Sequence, residues 1–182
     1  MQILVLTGSP RAGGNSQTLA KAFIEGAQAA GHHITEIDLT KLQIGACKAC
    51  EYCRKPATVG QCLQKDDMQQ IYDIWFEMDA VVWVTPLYYF SFSAQAKLAL
   101  DRVFALPNQK APHNKLLKMA LLVACADLEP FAADGLVTQF HIICDYFGIA
   151  TGGEVIARGV SAKGDIDGHP ALKQAYNLGL DF

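Results

Sequence analysis

The chain predicts an α/β protein of three layers, a doubly wound five-stranded parallel sheet between two sets of helices. Three observations carry that expectation. β-type and helix-type segments alternate along the 182 residues. The strand runs are near-continuously apolar, as expected of parallel strands buried on both faces. With 51% hydrophobic and 18% charged residues, nine Phe, six Tyr and two Trp, the chain has the apolar surface for one packed core and not the composition of a disordered segment. No repeat, linker or low-complexity tract divides it, so residues 1–182 read as a single domain.

Taken in order, the predicted strands are Gln2–Thr7, His33–Asp38, Ala80–Thr85, Lys118–Ala124 and Thr151–Ala157. The first helix is expected over Ser16–Ala30, where Leu19, Ala22, Phe23, Gly26, Ala27 and Ala30 fall on one face and Gly31 supplies the stop. A second should begin at Asp66, with Gln69 three residues on completing a capping-box pattern ahead of Ile71, Ile74 and Trp75. Ser93 opens a third. A fourth runs from about Ala132 to Gly148, and a fifth starts with Pro170 in its first turn. The irregular stretch is Leu42–Lys65, which holds four of the six Cys. A loop that long inside a compact domain is usually functional.

Fifteen Lys and Arg stand against 18 Asp and Glu, for a net charge of −3, and the basic residues are scattered. This excludes the electrostatic footprint of a nucleic-acid binder. No apolar run approaches the roughly 20 residues that a bilayer requires. The opening MQILVLTGSPR has no basic leader, so a soluble cytoplasmic protein with no membrane partner is expected. In that compartment six Cys point to thiols, metal ligands or redox chemistry ahead of a disulfide framework.

In a doubly wound sheet, ligands bind beyond the carboxyl ends of the strands, which directs attention to the loops after strands one, three and four. The first, Gly8-Ser9-Pro10-Arg11-Ala12-Gly13-Gly14-Asn15-Ser16, joins a buried strand to a helix N-terminus, where free N–H groups and the dipole favour a phosphate. Ser9 and Ser16 add hydroxyls, Asn15 an amide and Arg11 a fixed charge, while Gly13 and Gly14 let the main chain curl. The loop is neither a Walker A sequence nor a G-x-G-x-x-G fingerprint. A receiver domain would need an acidic residue at the end of strand three, where Thr85 and Pro86 stand. The second loop, Pro86-Leu87-Tyr88-Tyr89-Phe90-Ser91-Phe92-Ser93, places four aromatics at the same edge, suited to a flat heteroaromatic ring. Phosphate at one loop and an aromatic platform at the next describe a mononucleotide.

These segments resemble the flavodoxin-like, NAD(P)H-dependent FMN reductases and their relatives the iron-sulfur flavoproteins. SPRAGGNSQTL looks like the family's FMN-phosphate loop, PLYYFSFSAQAKLALDR its second flavin loop, and GACKACEYC with GQCLQKDDM its cysteine-bearing segment. The resemblance implies a flavodoxin-like strand order of 2-1-3-4-5. It also implies FMN as cofactor, held at its phosphate by Ser9, Arg11, Gly14, Asn15 and Ser16 and at its ring by Pro86, Leu87, Tyr88, Tyr89 and Phe90, with Ala126 and Asp127 contributing from the loop after strand four. The implied reaction is hydride transfer from NADH or NADPH to FMN and then, in ping-pong fashion, electron transfer to a small acceptor such as a quinone, flavin, nitro or azo compound. The other readings are an electron carrier of flavodoxin or iron-sulfur type and a cofactor-free or regulatory FMN-sensing module. By the same analogy, a homodimer would bury Phe90, Phe92 and the cysteine-loop surface.

The cysteines form a fork. Cys47, Cys50 and Cys53 are spaced as in cluster-binding runs, but Cys62 follows only after eight intervening residues, a departure from the compact pattern. The favoured expectation is thiols that pack or react; a [4Fe–4S] cluster on Cys47, Cys50, Cys53 and Cys62, a zinc ion and a disulfide remain as alternatives. Cys144 is expected in the core and Cys125 at the end of strand four. Lys97 and Asp101 read as an exposed i,i+4 ion pair, and Asp66 and Asp67 as helix-start residues. His113, His141 and His169 have no partner motif.

Overall fold

The structure, a computed structural model, describes residues 1–106 and 115–182. His113 lies outside the described residues. Five strands, β1 (Gln2–Thr7), β2 (His33–Asp38), β3 (Ala80–Pro86), β4 (Lys118–Cys125) and β5 (Ala150–Arg158), form one parallel sheet in the order β2-β1-β3-β4-β5. The helices are α1 (Asn15–Ala29), α2 (Gln69–Trp75), α3 (Ala94–Arg102), α4 (Asp134–Phe147) and α5 (Pro170–Leu180). The expected fold and strand order are both found, with strand ends displaced by a residue at Pro86, Cys125, Ala150 and Arg158.

Alternation along the strands divides the core. Leu4, Leu6, Trp83, Leu121 and Val123 face α2, α3 and α4, where Trp75, Phe140 and Phe147 close the layer. Ile3, Val5, Val82, Val84 and Leu122 face α1 and α5, meeting Leu19, Phe23 and Ala175. The two edge strands depart from the apolar pattern: β2, reading HITEID, pairs only with β1; β5, reading ATGGEVIAR, pairs only with β4; and most residues of each are partly exposed.

The most consequential helix contact is α1 on α5. Both follow parallel strands and run back antiparallel to the sheet, so their N-termini share its carboxyl edge. They cross at Gly26 and Gly179, where an added Cβ would collide with the carbonyl oxygens of Tyr176 and Phe23. Only glycine permits this approach, and it brings the β5–α5 connection over the β1–α1 loop.

Three expectations are corrected. The helix foreseen from Asp66 begins at Gln69, whose side chain donates to Asp73 Oδ1 at 2.7 Å instead of reaching back, so no capping box forms. The Asp66 carboxylate accepts from Met68 N at 3.2 Å, but its stronger partner is the guanidinium of Arg102. The helix expected from about Ala132 is divided into a 3₁₀ turn at Pro130–Ala133 and α4 proper, which ends with Gly148 in the left-handed region. Phe92 is no interface residue: it is buried and meets Trp83 edge-on at 6.2 Å. Cys125 and Cys144 are both buried, and burial pushes the Cys144 thiol up to about 11. The Lys97–Asp101 pair forms at 2.6 Å with both partners exposed, a contribution of a few tenths of a kcal/mol at most. Of the described histidines left without a role, His169 caps α5, accepting from Ala171 N at 3.1 Å, and His141 lies 3.3 Å from Glu154.

Candidate active site

The loops after β1 and β3 are tied together beneath the site. Ser93 Oγ donates to Gly8 O at 2.6 Å, while Ser93 N donates to Thr85 Oγ1 at 2.9 Å. Any side chain at position 8 would meet Ala96 Cβ and Ser93 Oγ at 2.8 Å, which accounts for Gly8. Above this buried anchor lies a cavity at the sheet's carboxyl edge. Ser9, Arg11, Asn15 and Ser16 line one side, Pro86, Leu87 and Tyr88 another, and Ala124, Ala126, Val160 and Ser161 complete it.

At its base is the N-terminus of α1, capped by no side chain and carrying no acidic residue in its first turn. Ser9, Asn15 and Ser16 are buried there. Asn15 Nδ2 donates to Ala162 O at 2.9 Å, which fixes the amide orientation, and its Oδ1 is buried with no hydrogen-bond partner among the described residues. Gly13 takes φ +61°, and a Cβ on Gly14 would stand 2.9 Å from Arg11 O. Uncapped N–H groups, a positive dipole end and a backbone cradle together can bind an anion, and the orphaned amide oxygen calls for an O–H or N–H donor from a ligand. The site therefore fits a phosphorylated polyol such as the tail of FMN.

Arg11 lines the cavity, and its guanidinium donates to Ser161 O. In return Lys163 Nζ donates to Ala12 O at 3.2 Å. These two bonds and the Asn15–Ala162 bond clasp the first and last βα loops together. Val160, Ser161 and Lys163 escaped the sequence reading, which stopped at the loops after strands one, three and four. The signal available was topological, since every βα loop of a doubly wound sheet opens on the same edge.

The second loop divides between two places. Leu87 is fixed by its N–H to Ala124 O at 2.9 Å, and Tyr88 reaches the cavity. Tyr89, Phe90 and Asp127 line a neighbouring groove of about 270 Å³ with Leu87, Cys125, Ala126 and Ala132. Leu87 and Ala126 belong to both, so the two spaces adjoin. Gly14 is the N-cap of α1 at the cavity base.

The four loop cysteines line one separate cavity with Arg102 and Phe104. Cys47 and Cys50 are exposed, Cys53 and Cys62 half-buried, and burial raises the Cys53 thiol. The donor types suit a cluster, but among the described residues no three His, Cys, Asp or Glu side chains are gathered so as to hold a metal ion. What organises the loop is Arg102, 1% exposed, to which the sequence reading gave no role of its own. Its Nη1 donates to Asp66 Oδ2 at 2.6 Å and Gly45 O at 2.8 Å, and its Nη2 to Asp66 Oδ1 at 3.1 Å and Cys62 Sγ at 3.3 Å. Burial works against ionisation of Asp66, yet the hydrogen bonds from Arg102 and Gly45 outweigh it and hold the carboxyl below its ordinary value.

The family profile described as NADPH-dependent FMN reductase matches residues 1–156. The chain belongs to the NADPH-dependent FMN reductase family. It is accordingly an oxidoreductase of FMN and NAD(P)H chemistry. An iron-sulfur flavoprotein of Archaeoglobus fulgidus is 28% identical over 98% of this family member and 77% of the relative. A Bacillus subtilis protein named as an NAD(P)H-dependent FMN-containing oxidoreductase is 29% identical over 98% of this chain and 96% of its own. Among solved structures, an NAD(P)H:quinone oxidoreductase from Methanothermobacter marburgensis superposes with a TM-score of 0.78 at 20% identity, covering all of this chain and 96% of the other. An azoreductase from Bacillus anthracis gives 0.72 at 19% identity over the full length of both. At those identities the two structures speak for the shared fold.

Proposed function

We propose that the protein is a reductase that passes electrons from NADH or NADPH to a small acceptor, a quinone, flavin, nitro or azo compound, through FMN held at the carboxyl edge of the sheet. The observation that carries the reading is the uncapped α1 N-terminus beneath a cavity whose other wall is the aromatic second loop. Ser9, Gly14, Asn15 and Ser16 hold the phosphate through hydroxyls and main-chain N–H groups, with Arg11 and Lys163 supplying positive charge at the rim. Asn15 Oδ1 takes a hydroxyl of the ribityl chain. Pro86, Leu87, Tyr88 and Ala126 wall the ring with apolar surface. FMN bound there would supply the redox chemistry that links a nicotinamide to the acceptor, in a ping-pong cycle, while these residues hold and orient it.

No side chain serves as acid or base in this scheme; the protein binds, orients and leaves one side open. The four loop cysteines act as thiols and hold no cluster, a reading supported by the anchoring of Cys62 on Arg102 and the exposure of Cys47 and Cys50. A cytoplasmic homodimer completes the proposal. Among the described residues no helix is long and apolar enough to cross a membrane, and exposed Leu128 and Phe131 are apolar surface that a dimer can bury.

The deciding experiment compares FMN with riboflavin by calorimetry and follows NADPH oxidation with menadione. The expected result is at least tenfold tighter binding of FMN and steady turnover. Equal affinity for riboflavin removes the phosphate assignment; FMN binding without NAD(P)H oxidation makes the protein an electron carrier.

A further inference from the structure

Cys47, Cys50, Cys53 and Cys62 open on one cavity with Arg102, and Arg102 retains a donor to spare. Its Nη atoms are occupied by Asp66, Gly45 O and Cys62 Sγ, and Tyr72 Oη donates to its carbonyl oxygen at 2.8 Å. Its Nε, however, is buried with no hydrogen-bond partner among the described residues. At 1% exposure the side chain cannot turn that donor to bulk water. A buried N–H of this kind calls for an acceptor. The cavity measures about 30 Å³, room for roughly one or two waters and for no organic ring.

The two half-buried thiols of the cavity are not equivalent. Cys62 Sγ accepts from Arg102 Nη2 at 3.3 Å and so stands beside a fixed positive charge. Burial raises the Cys53 thiol, and charge on Cys62 or Cys47 raises it further, so Cys53 keeps its proton beside a charged neighbour. Both pack against the same core layer. The chain between them forms two 3₁₀ turns, Tyr52–Arg54 and Pro56–Thr58, and Thr58 Oγ1 donates to Tyr52 O, which draws the segment back on itself.

We propose that Cys62 is a site of oxidation by hydrogen peroxide, with Cys53 as the thiol that resolves it to a disulfide. The inference rests on the reading of the four cysteines as thiols and is independent of the flavin. The Cys62 sulfur attacks one peroxide oxygen: an S–O bond forms, the O–O bond breaks, and the departing hydroxide takes up the thiol's proton and leaves as water. Sulfur is oxidised by two electrons and the peroxide is reduced. Arg102 holds the sulfur in place and offers Nε to the peroxide, whose leaving oxygen gains negative charge beside the guanidinium. The Cys53 sulfur then attacks the sulfenic sulfur: an S–S bond forms, the S–O bond breaks, and a second water leaves with the Cys53 proton.

The test uses protein purified without air, reduced with dithiothreitol and then freed of it, with iron measured first. Hydrogen peroxide should remove two thiols per chain and join Cys53 to Cys62 in the unreduced peptide digest, and dithiothreitol should reverse both changes. Oxidation should run at least about tenfold faster than in the urea-unfolded chain, because the folded chain places Arg102 beside the sulfur. Cumene hydroperoxide, too large for the cavity, should react at least about tenfold more slowly than hydrogen peroxide. Cys53→Ser should stop at a sulfenic acid on Cys62, trapped by dimedone, and Cys62→Ser should form no peroxide-dependent disulfide at Cys53. A digest without the Cys53–Cys62 peptide overturns the proposal and leaves the thiol reading standing, as do equal rates in the folded and unfolded chains or with the two peroxides. Stoichiometric iron in the untreated protein overturns the thiol reading and the proposal with it.

Discussion

Replacing Asp66 by Asn tests what holds the cysteine loop to the sheet. The carboxylate receives two hydrogen bonds from Arg102 and one from Gly45 N at 3.0 Å, and Arg102 is almost wholly buried. Breaking a buried pair by removing one partner costs about 3–5 kcal/mol, because the other charge is left uncompensated. Asp66 retains 19% side-chain exposure, and Asn keeps one acceptor, which places the expected loss at the lower end, about 3 kcal/mol. For 182 residues that corresponds to a fall of about 6–12 °C in the thermal midpoint. The Arg102 Nε already lacks a partner among the described residues, so the neutral variant adds to an existing deficit. Alkylation of Cys62 by a maleimide, followed by mass spectrometry, should quicken as its contact with Arg102 loosens. FMN affinity should hold, as Asp66 does not line the cofactor cavity. The same pair predicts acid lability. Asp66 is held below the ordinary carboxylate value of 3.8, so its stabilisation is complete above that pH and is lost as pH falls through the lower folded value. A midpoint shift under about 2 °C for Asp66→Asn, with an unchanged acid transition, would refute the reasoning.

Three other outcomes follow from the same geometry. Arg11→Ala should weaken FMN about tenfold and leave riboflavin affinity unaltered, and Lys163→Ala should act in the same direction, both measured by flavin fluorescence; loss of riboflavin binding instead would mean that these cations support the loop and not the phosphate. Gly179→Ala forces a methyl into the Phe23 carbonyl oxygen, so it should destabilise by at least about 3 kcal/mol in urea titration and loosen FMN by displacing the β5–α5 loop; a stable variant with normal FMN affinity would show that the α1–α5 crossing does not position the site. Protein purified without air should lack stoichiometric iron, and Cys50→Ser should keep NAD(P)H oxidation within a few-fold of wild type, whereas about four irons per chain lost in that variant would establish a cluster.

The sheet was legible because its central strands announce themselves. Ala80–Thr85 and Lys118–Ala124 are apolar at nearly every position, a pattern that only burial on both faces tolerates, and both strands are found. The start of α2 was not legible. A capping box is a local inference from Asp66 and Gln69, and a guanidinium 36 residues downstream competes for the same carboxylate more strongly than a backbone N–H. Phe92 misled for a related reason: in a loop of alternating aromatics, nothing in the sequence says which ring turns inward onto Trp83.

Residue type and spacing marked the loop for which an anion site is proposed, since Ser9, Gly13, Gly14 and Ser16 would act through their own backbone or through a hydroxyl beside it. What they could not convey is the contribution of the opposite end of the chain. Arg11, Asn15 and Lys163 meet Ser161, Ala162 and Ala12 across about 150 residues of sequence because α1 and α5 pack at two glycines. The pair Gly26 and Gly179 thus has a functional consequence that neither shows locally. Each glycine alone weakens a helix by up to about 1 kcal/mol, and together they allow the last βα loop to close over the first. The proposed anion site is therefore a property of the helix crossing as much as of the SPRAGGNS segment, and on that reading a substitution far from the cavity should weaken it.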